Sequence, residues 1–107
     1  MKQIDLKAFL NETASLGRTT ALFQEAGLRG FLLHIQEGEQ IPEHQTRGPI
    51  SVHCLKGEVV FSSGSDQVTL TPATLVNLPP AAPHSLVARQ ESVLLVTLSE
   101  QAAVKPA

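Results

Sequence analysis

Four histidines and one cysteine are the side chains of this sequence best suited to hold a metal ion or a small polar ligand. His44, His53 and Cys54 lie within the stretch IPEHQTRGPISVHCLKGEV, while His34 precedes it and His84 follows it. Neutral imidazole binds zinc, nickel and iron, and it can also act as a hydrogen-bonding group. The first question is therefore whether the fold brings several of these side chains into one site.

The lone cysteine is expected to be structural. Nothing in the sequence around Cys54, from Val52 to Lys56, favours the thiolate form, so we predict a small buried packing group and not a nucleophile. A single cysteine also excludes an intramolecular disulfide and fits a reducing compartment. The N-terminal stretch MKQIDLKAFLNE lacks the long apolar region of a signal peptide, so we expect a cytoplasmic protein.

Composition argues against two classes of partner and several classes of chemistry. The 107 residues carry a formal net charge of -2, and their Lys and Arg residues are isolated, which gives nucleic-acid binding little electrostatic support. No apolar stretch approaches the roughly 20 residues of a membrane span. The sequence contains no nucleophile elbow, phosphate-binding loop or CxxC pair, and no two carboxylates are spaced for acid–base catalysis.

Alternation of apolar and polar residues dominates the chain after residue 17 and predicts an all-β fold. Strands of roughly 5–7 residues with turn signals every 8–12 residues are typical of a β-sandwich or barrel. We predict two strands on either side of a turn at Glu25–Gly27, and further strands at 50–56, 58–62, 67–71, 74–78, 84–88 and 93–98.

The chain is short enough that one domain over residues 1–107 is expected. We place its barrel at about 18–98, an N-terminal arm at 1–17 and a frayed tail at 99–107. The alternating apolar residues of the arm fit a strand, and a short helical turn is an open alternative.

The spacing of residues 38–57 resembles the first motif of the cupin family. That motif runs Gly, five residues, His-x-His, three or four residues, Glu, six residues, Gly. Gly38, His44 and Gly57 stand at matching positions in this sequence. The second histidine position holds Thr46, and the glutamate position holds Ile50.

The second cupin motif runs Gly, five residues, Pro-x-Gly, two residues, His, three residues, Asn. Pro79 and His84 match it in this sequence. Its two glycine positions hold Ala73 and Ala81, and its asparagine position holds Ala88. The resemblance implies a cupin-type double-stranded β-helix, or jelly-roll barrel, which is usually dimeric and holds ligands inside the barrel mouth.

The resemblance also implies a ligand pocket formed by His44, Thr46, Ile50 and His84. Alternate residues of a strand share a face, so His44 and Thr46 are expected to face alike. If Ile50 points inward, His53 points outward, unless a β-bulge near the Gly-Pro pair before Ile50 reverses the alternation.

A divalent transition metal (Zn, Ni, Fe or Mn) is a further implication of the resemblance, with His44 and His84 as its ligands. Such sites usually need three protein ligands, and Thr46 and Ile50 replace two of the family's ligand types. A third ligand would have to come from His34, His53, Gln40 or Gln45. We therefore expect any metal in this site to be weakly held.

These observations favour a protein that binds a small molecule in the barrel interior, with or without a weakly held metal. Two alternatives remain open: a metal-dependent enzyme, such as a dioxygenase or isomerase of a small acid or sugar, and a regulatory partner that acts through its dimer face. Three convergent ligands would favour the enzyme, and a collapsed pocket the regulatory partner. We expect a homodimer, with Ser51 and His53 among the outward-facing contacts.

Overall fold

The computed structural model describes residues 1–99, and within them the chain forms nine β-strands after two short helical segments. Helix α1 spans Leu6–Asn11, and a 3-10 turn follows at Thr13–Ser15. The strands are β1 (Thr19–Glu25), β2 (Leu28–Ile35), β3 (Gln40–His44), β4 (Ile50–Lys56), β5 (Val59–Ser63), β6 (Asp66–Leu70), β7 (Thr74–Leu78), β8 (His84–Ala88) and β9 (Ser92–Ser99).

The strands form two antiparallel sheets that pack face to face. One sheet has five strands in the order β1-β2-β9-β4-β7, and the other has four in the order β3-β8-β5-β6. The main core lies between them, because its buried side chains come from both sheets, among them Ile35, Cys54 and Leu94 of the first and Val59 and Phe61 of the second. The all-β fold class predicted from the sequence is confirmed.

Residue alternation explains most of these strands and misses one. The strands predicted after residue 50 agree with the observed strands to within one residue at each end. Strand β3 was not predicted, because Pro42 interrupts its pattern and proline lacks the N–H that a regular ladder uses.

Two glycines of the first motif occupy tight reversals of the chain. Gly38 has φ +85° and Gly57 has φ +91°, in the left-handed region that favours glycine. At Gly57 a side chain would also collide with Ser92 and with the backbone oxygen of Glu91. Both glycines therefore hold the turns next to the strands that line the barrel.

The N-terminal arm contains two short helical segments. The sequence was compatible with either a strand or a helical turn there. The Asp5 carboxylate caps α1 by accepting a hydrogen bond from the backbone N–H of Lys7 at 3.0 Å. The arm packs on the outer face of the five-stranded sheet. Its contacts there form a second apolar cluster around the buried side chains Leu22, Leu32 and Val93, with Ile4, Leu6, Phe9, Leu10 and Leu16 from the arm.

Neither helical segment within residues 1–99 is long and apolar enough to cross a membrane. Of the predicted tail, Ser99 belongs to β9, and the remainder lies outside the described residues.

Candidate functional site

A cavity of about 230 Å³ lies inside the barrel, between the two sheets. None of the described residues that line it is Lys, Arg, Asp or Glu, and its only polar side chains are those of Thr19, His44 and His84. The apolar lining consists of Phe31, Leu33, Ile41, Ile50, Val52, Phe61, Leu86 and Val96. Such a cavity suits a small, mostly apolar ligand that is oriented by a few polar contacts.

His84 is the most deeply buried polar group of this cavity, with 3% of its surface exposed. It is the first residue of β8 and follows the proline-rich loop that connects β7 to β8. Its ring stacks on Phe61 with 5.8 Å between centroids and 12° between planes. Its Nδ1 lies 3.0 Å from the carbonyl oxygen of Ala82. The stacking and the hydrogen bond together fix the orientation of the ring.

A β-bulge determines where His44 points. Ile41 pairs with Leu86 in the β3–β8 ladder, so regular pairing would set Glu43 opposite His84, yet His44 takes that place. The extra residue lies in the Pro42–Glu43 segment, where proline cannot complete a regular ladder. The bulge puts His44 on the same face as Ile41, and both side chains line the cavity. His44 itself is exposed and therefore lies at the mouth.

The two imidazoles meet directly across this ladder. Their ring centroids lie 4.2 Å apart in an edge-to-face arrangement. Nδ1 of His44 lies 3.0 Å from the carbonyl oxygen of Pro42, just as Nδ1 of His84 lies close to that of Ala82. A carbonyl only accepts, so each Nδ1 donates a proton, and each neutral ring keeps its free lone pair on Nε2.

The surroundings of His84 favour its neutral form. Burial lowers the pKa of His84 below its ordinary value of 6.5, the hydrogen bond to the Ala82 carbonyl raises it in part, and the nearby His44 lowers it. Nε2 of His84 is buried and has no hydrogen-bond partner among residues 1–99. A buried polar atom without a partner is unfavourable, and a hydrogen-bond donor or a metal ion next to it would satisfy it.

The remaining predicted pocket residues divide between the cavity and other surfaces. Ile50 lines the cavity, at the position where the motif has a glutamate. Thr46 does not line it, because β3 ends at His44 and the strand alternation goes no further. The Thr46 hydroxyl instead donates to the carbonyl oxygen of Gly48 at 3.0 Å. His53 lies on the outer face of β4, where inward-facing residues are buried and their neighbours are half-buried.

His34 lies away from the cavity, on the outer side of the five-stranded sheet. Its Nε2 is 2.9 Å from a carboxylate oxygen of Glu91, and the other oxygen accepts a hydrogen bond from Lys56 at 3.4 Å. The pKa of Glu91 is lowered, first by its hydrogen bond with His34 and also by Lys56, against a smaller effect of burial. The Thr13 hydroxyl donates to the same carboxylate, so this cluster connects the arm to the sheet.

Cys54 is fully buried on the inner face of β4 and does not line the cavity. Burial raises the pKa of its thiol, and a hydrogen bond with the backbone of Lys56 lowers it to a lesser extent. The thiol form is inert, which suits a packing group.

The side chains present do not fit a tight transition-metal site. In the described part of the chain, no three His, Cys, Asp or Glu side chains lie close enough together to hold a metal ion. Of the other suggested ligands, Gln40 lines a groove on the outer side of the four-stranded sheet, and Gln45 is exposed beyond β3. His44 and His84 would thus be the two protein ligands of an ion in the cavity.

Two surface grooves are larger than the barrel cavity but bring together no histidines. One, of about 520 Å³, lies between β6 and β7, the edge strands of the two sheets, and the other, of about 370 Å³, crosses the outer face of the four-stranded sheet. Phe61 lines both the first groove and the cavity. The chemistry-bearing side chains therefore select the smaller, interior space.

Solved structures with the same architecture establish that the chain has the cupin fold. TT1209 from Thermus thermophilus has a TM-score of 0.77 and 25% identity, covering 92% of this chain and 97% of that chain. A cupin superfamily protein from Desulfitobacterium hafniense has a TM-score of 0.74 and 20% identity, covering 78% and 76%. A cupin-2 domain protein from Shewanella frigidimarina has a TM-score of 0.72 and 10% identity, covering 89% and 99%. No family model and no curated protein sequence matches the chain.

Sequence reasoning missed strand β3 and the bulge that sets His44 opposite His84. The available signal was Pro42, because a proline within a short apolar–polar run indicates an edge strand or a bulge. Strand β3 is indeed an edge strand of its sheet.

Proposed function

We propose that this protein binds a small molecule in the barrel cavity between His44 and His84. One observation carries the proposal: the side chain of His84 lines an apolar cavity, and its Nε2 is buried without a partner. A bound group that donates a hydrogen bond to this atom would satisfy it. Two imidazoles beside the apolar wall of Ile50 support this function over a metal-dependent enzyme, which would need a fuller ligand set.

The second part of the proposal concerns metal. His44 and His84 would hold a divalent transition ion weakly, because two imidazoles leave the ion short of the three or four protein ligands of tight sites. A free Nε2 on each ring is the atom that such an ion would use. The buried free thiol of Cys54 is consistent with the cytoplasmic location that we also propose.

A fragment screen by two-dimensional amide NMR tests the binding proposal. Compounds of the right size should shift the resonances of Phe31, Leu33 and Val52, which line the cavity, and leave those of the outer sheet face unchanged. The variant Val52→Phe should reduce these shifts because it fills part of the cavity. Shifts confined to the surface grooves, or unaffected by Val52→Phe, would refute cavity binding.

A further inference from the structure

The chemistry of the cavity lining restricts the charge of its occupant. Neither a cationic nor an anionic side chain lines the cavity among the described residues. A carboxylate or ammonium ligand would lose its hydration without gaining an opposite charge, which is strongly unfavourable. The occupant should therefore be neutral.

The hydrogen-bonding pattern then restricts its polar group. Nδ1 of His84 already donates to Ala82, so the remaining ring nitrogen, Nε2, can only accept in the neutral ring. Nε2 has no partner within residues 1–99 and is fully buried. The matching ligand group is a donor, such as a hydroxyl, and an ether or a ketone would leave the nitrogen unpaired.

The shape and size of the cavity restrict the rest of the molecule. A volume of about 230 Å³ equals the space of roughly eight water molecules at about 30 Å³ each, which suits a molecule with a single compact ring. Phe31 and Phe61 contribute aromatic rings to the lining. One face of the Phe31 ring lies 5.0 Å from the Arg29 guanidinium, and the Phe61 ring stacks on His84. Aromatic ligands pack favourably against the edges and the remaining faces of such rings.

We infer that the occupant is a small neutral phenol whose hydroxyl donates to Nε2 of His84 while its ring lies among the apolar side chains. This inference rests on the proposed binding function and adds the ligand class. A phenolic hydroxyl is a more acidic, and hence stronger, donor than an aliphatic one. No metal ion takes part in the contact.

Calorimetric titration of chelator-treated protein at about pH 8, where imidazole is neutral, tests the ligand class. The probes are para-cresol, toluene, para-methylanisole, cyclohexanol and para-toluate. Para-cresol should bind about ten- to a hundredfold more tightly than toluene or para-methylanisole, which leave Nε2 unpaired. It should also bind more tightly than cyclohexanol, and para-toluate should not bind.

The variant His84→Phe keeps a flat ring and removes the acceptor. It should bind para-cresol no better than toluene. His53→Phe, on the outer face of β4, is the matched control and should retain the preference for para-cresol. The ranking of probes in the unmodified protein decides the question even if the His84 variant fails to fold.

The possible failures are distinguishable. If toluene or cyclohexanol binds as tightly as para-cresol, the cavity is a binding site but the phenol inference is wrong. Tightest binding of para-toluate, or binding of para-cresol only after zinc is added, would equally overturn it. If none of the probes binds, the proposed function itself loses its support.

Discussion

At the scale of single residues, the buried His84 ring makes folding stability depend on pH. Burial holds its pKa below the ordinary value of 6.5. Between that value and the lower folded pKa, the unfolded chain binds more protons than the folded chain. The stability associated with the neutral buried ring is therefore fully present above roughly pH 6.5 and is lost as the pH falls through the folded pKa.

The first prediction follows from the direction of this pH dependence. We expect the free energy of unfolding to fall more steeply below roughly pH 6.5 in the unmodified protein than in His84→Phe. Urea unfolding at a series of pH values measures the difference between the two slopes. His53→Phe, which removes a histidine from the outer face, should keep the steep dependence. Equal slopes for the unmodified protein and His84→Phe would show that the ring titrates as it does in water.

The second prediction concerns Ile50, which supplies a wall of the cavity where the resembled motif has a carboxylate. Ile50→Glu should raise zinc affinity at least about tenfold, because it adds an anionic ligand to a cavity with two imidazoles. It should also lower the stability of the metal-free protein, since the carboxylate is then buried among apolar groups. Zinc titration of the unmodified protein and of Ile50→Glu measures the gain in affinity. Ser51→Glu is the matched control: it adds the same charge on the outer face of β4 and should not raise zinc affinity.

Metal retention by the unmodified protein would contradict the weak-site proposal. Tight, stoichiometric metal that survives dialysis against a chelator would mean that another side chain supplies the missing ligand. In that case His44→Ala should abolish binding, whereas Cys54→Ser should leave it intact because Cys54 does not line the cavity.

At the scale of elements, the bulge in β3 shows what residue alternation can and cannot predict. Alternation fixes the faces of β4, where Ile50, Val52 and Cys54 are buried in turn. It fails at β3, because one extra residue reverses the faces, and the position of that residue depends on the ladder with β8. Motif spacing placed His44 and His84 at ligand positions, but the contact between their rings depends on this long-range pairing.

Of the three alanines with positive φ among residues 1–99, two stand where the second motif has glycine. Ala73 has φ +70° and Ala81 has φ +64°, and they stand at the two glycine positions of the second motif. Both turns are anchored, since Ala73 N donates to the Cys54 carbonyl and Ala81 N to the Thr46 carbonyl at 2.9 Å. A residue with a Cβ atom in the left-handed region destabilises the folded state by about 1–2 kcal/mol. Glycine avoids this strain, but it loses more backbone entropy on folding, which offsets part of the gain.

The third prediction is that Ala73→Gly and Ala81→Gly each stabilise the protein by about 0.5–1 kcal/mol. For a domain of this size the melting temperature should rise by a few degrees for each substitution. Ala82→Gly is the matched control, because Ala82 is not among the described residues with positive φ, and it should be neutral or destabilising. A lower melting temperature for both of the first two variants would show that the backbone strain is already relieved.

At the scale of the whole molecule, the sequence predicted the sandwich and, through the resemblance of its motifs, an interior pocket, but not the volume of the cavity. Period-two alternation specifies which side chains face the interior, and that is enough to predict two packed sheets. Cavity volume depends on how side chains from seven strands interdigitate, and nothing in the local pattern specifies it. The conformation of the N-terminal arm is likewise not specified by its local pattern, because its apolar residues fit either a strand or a helical turn. The sheet face on which the arm packs decides between them.

The outer face of the five-stranded sheet is only partly covered. The arm covers Leu22, Leu32 and Val93 near β1 and β2. Farther across, β4 and β7 pair His53 with Leu75 and Ser51 with Asn77. This part of the face carries no formal charge, and 56% of Leu75 is exposed. Two copies that met through it would bury apolar surface without bringing like charges together.

The fourth prediction is that the protein is a homodimer that associates through this face of β4 and β7. Leu75→Lys should shift it to the monomer, because each interface would then bury two ammonium groups without partners. Val68→Lys is the matched control: Val68 is 45% exposed but lies on β6 in the other sheet, so its replacement should leave the dimer intact. Sedimentation velocity at micromolar concentration distinguishes the two masses. A monomer in the unmodified protein would refute the prediction, and a dimer that survives Leu75→Lys but not Val68→Lys would move the interface to the edge strand β6.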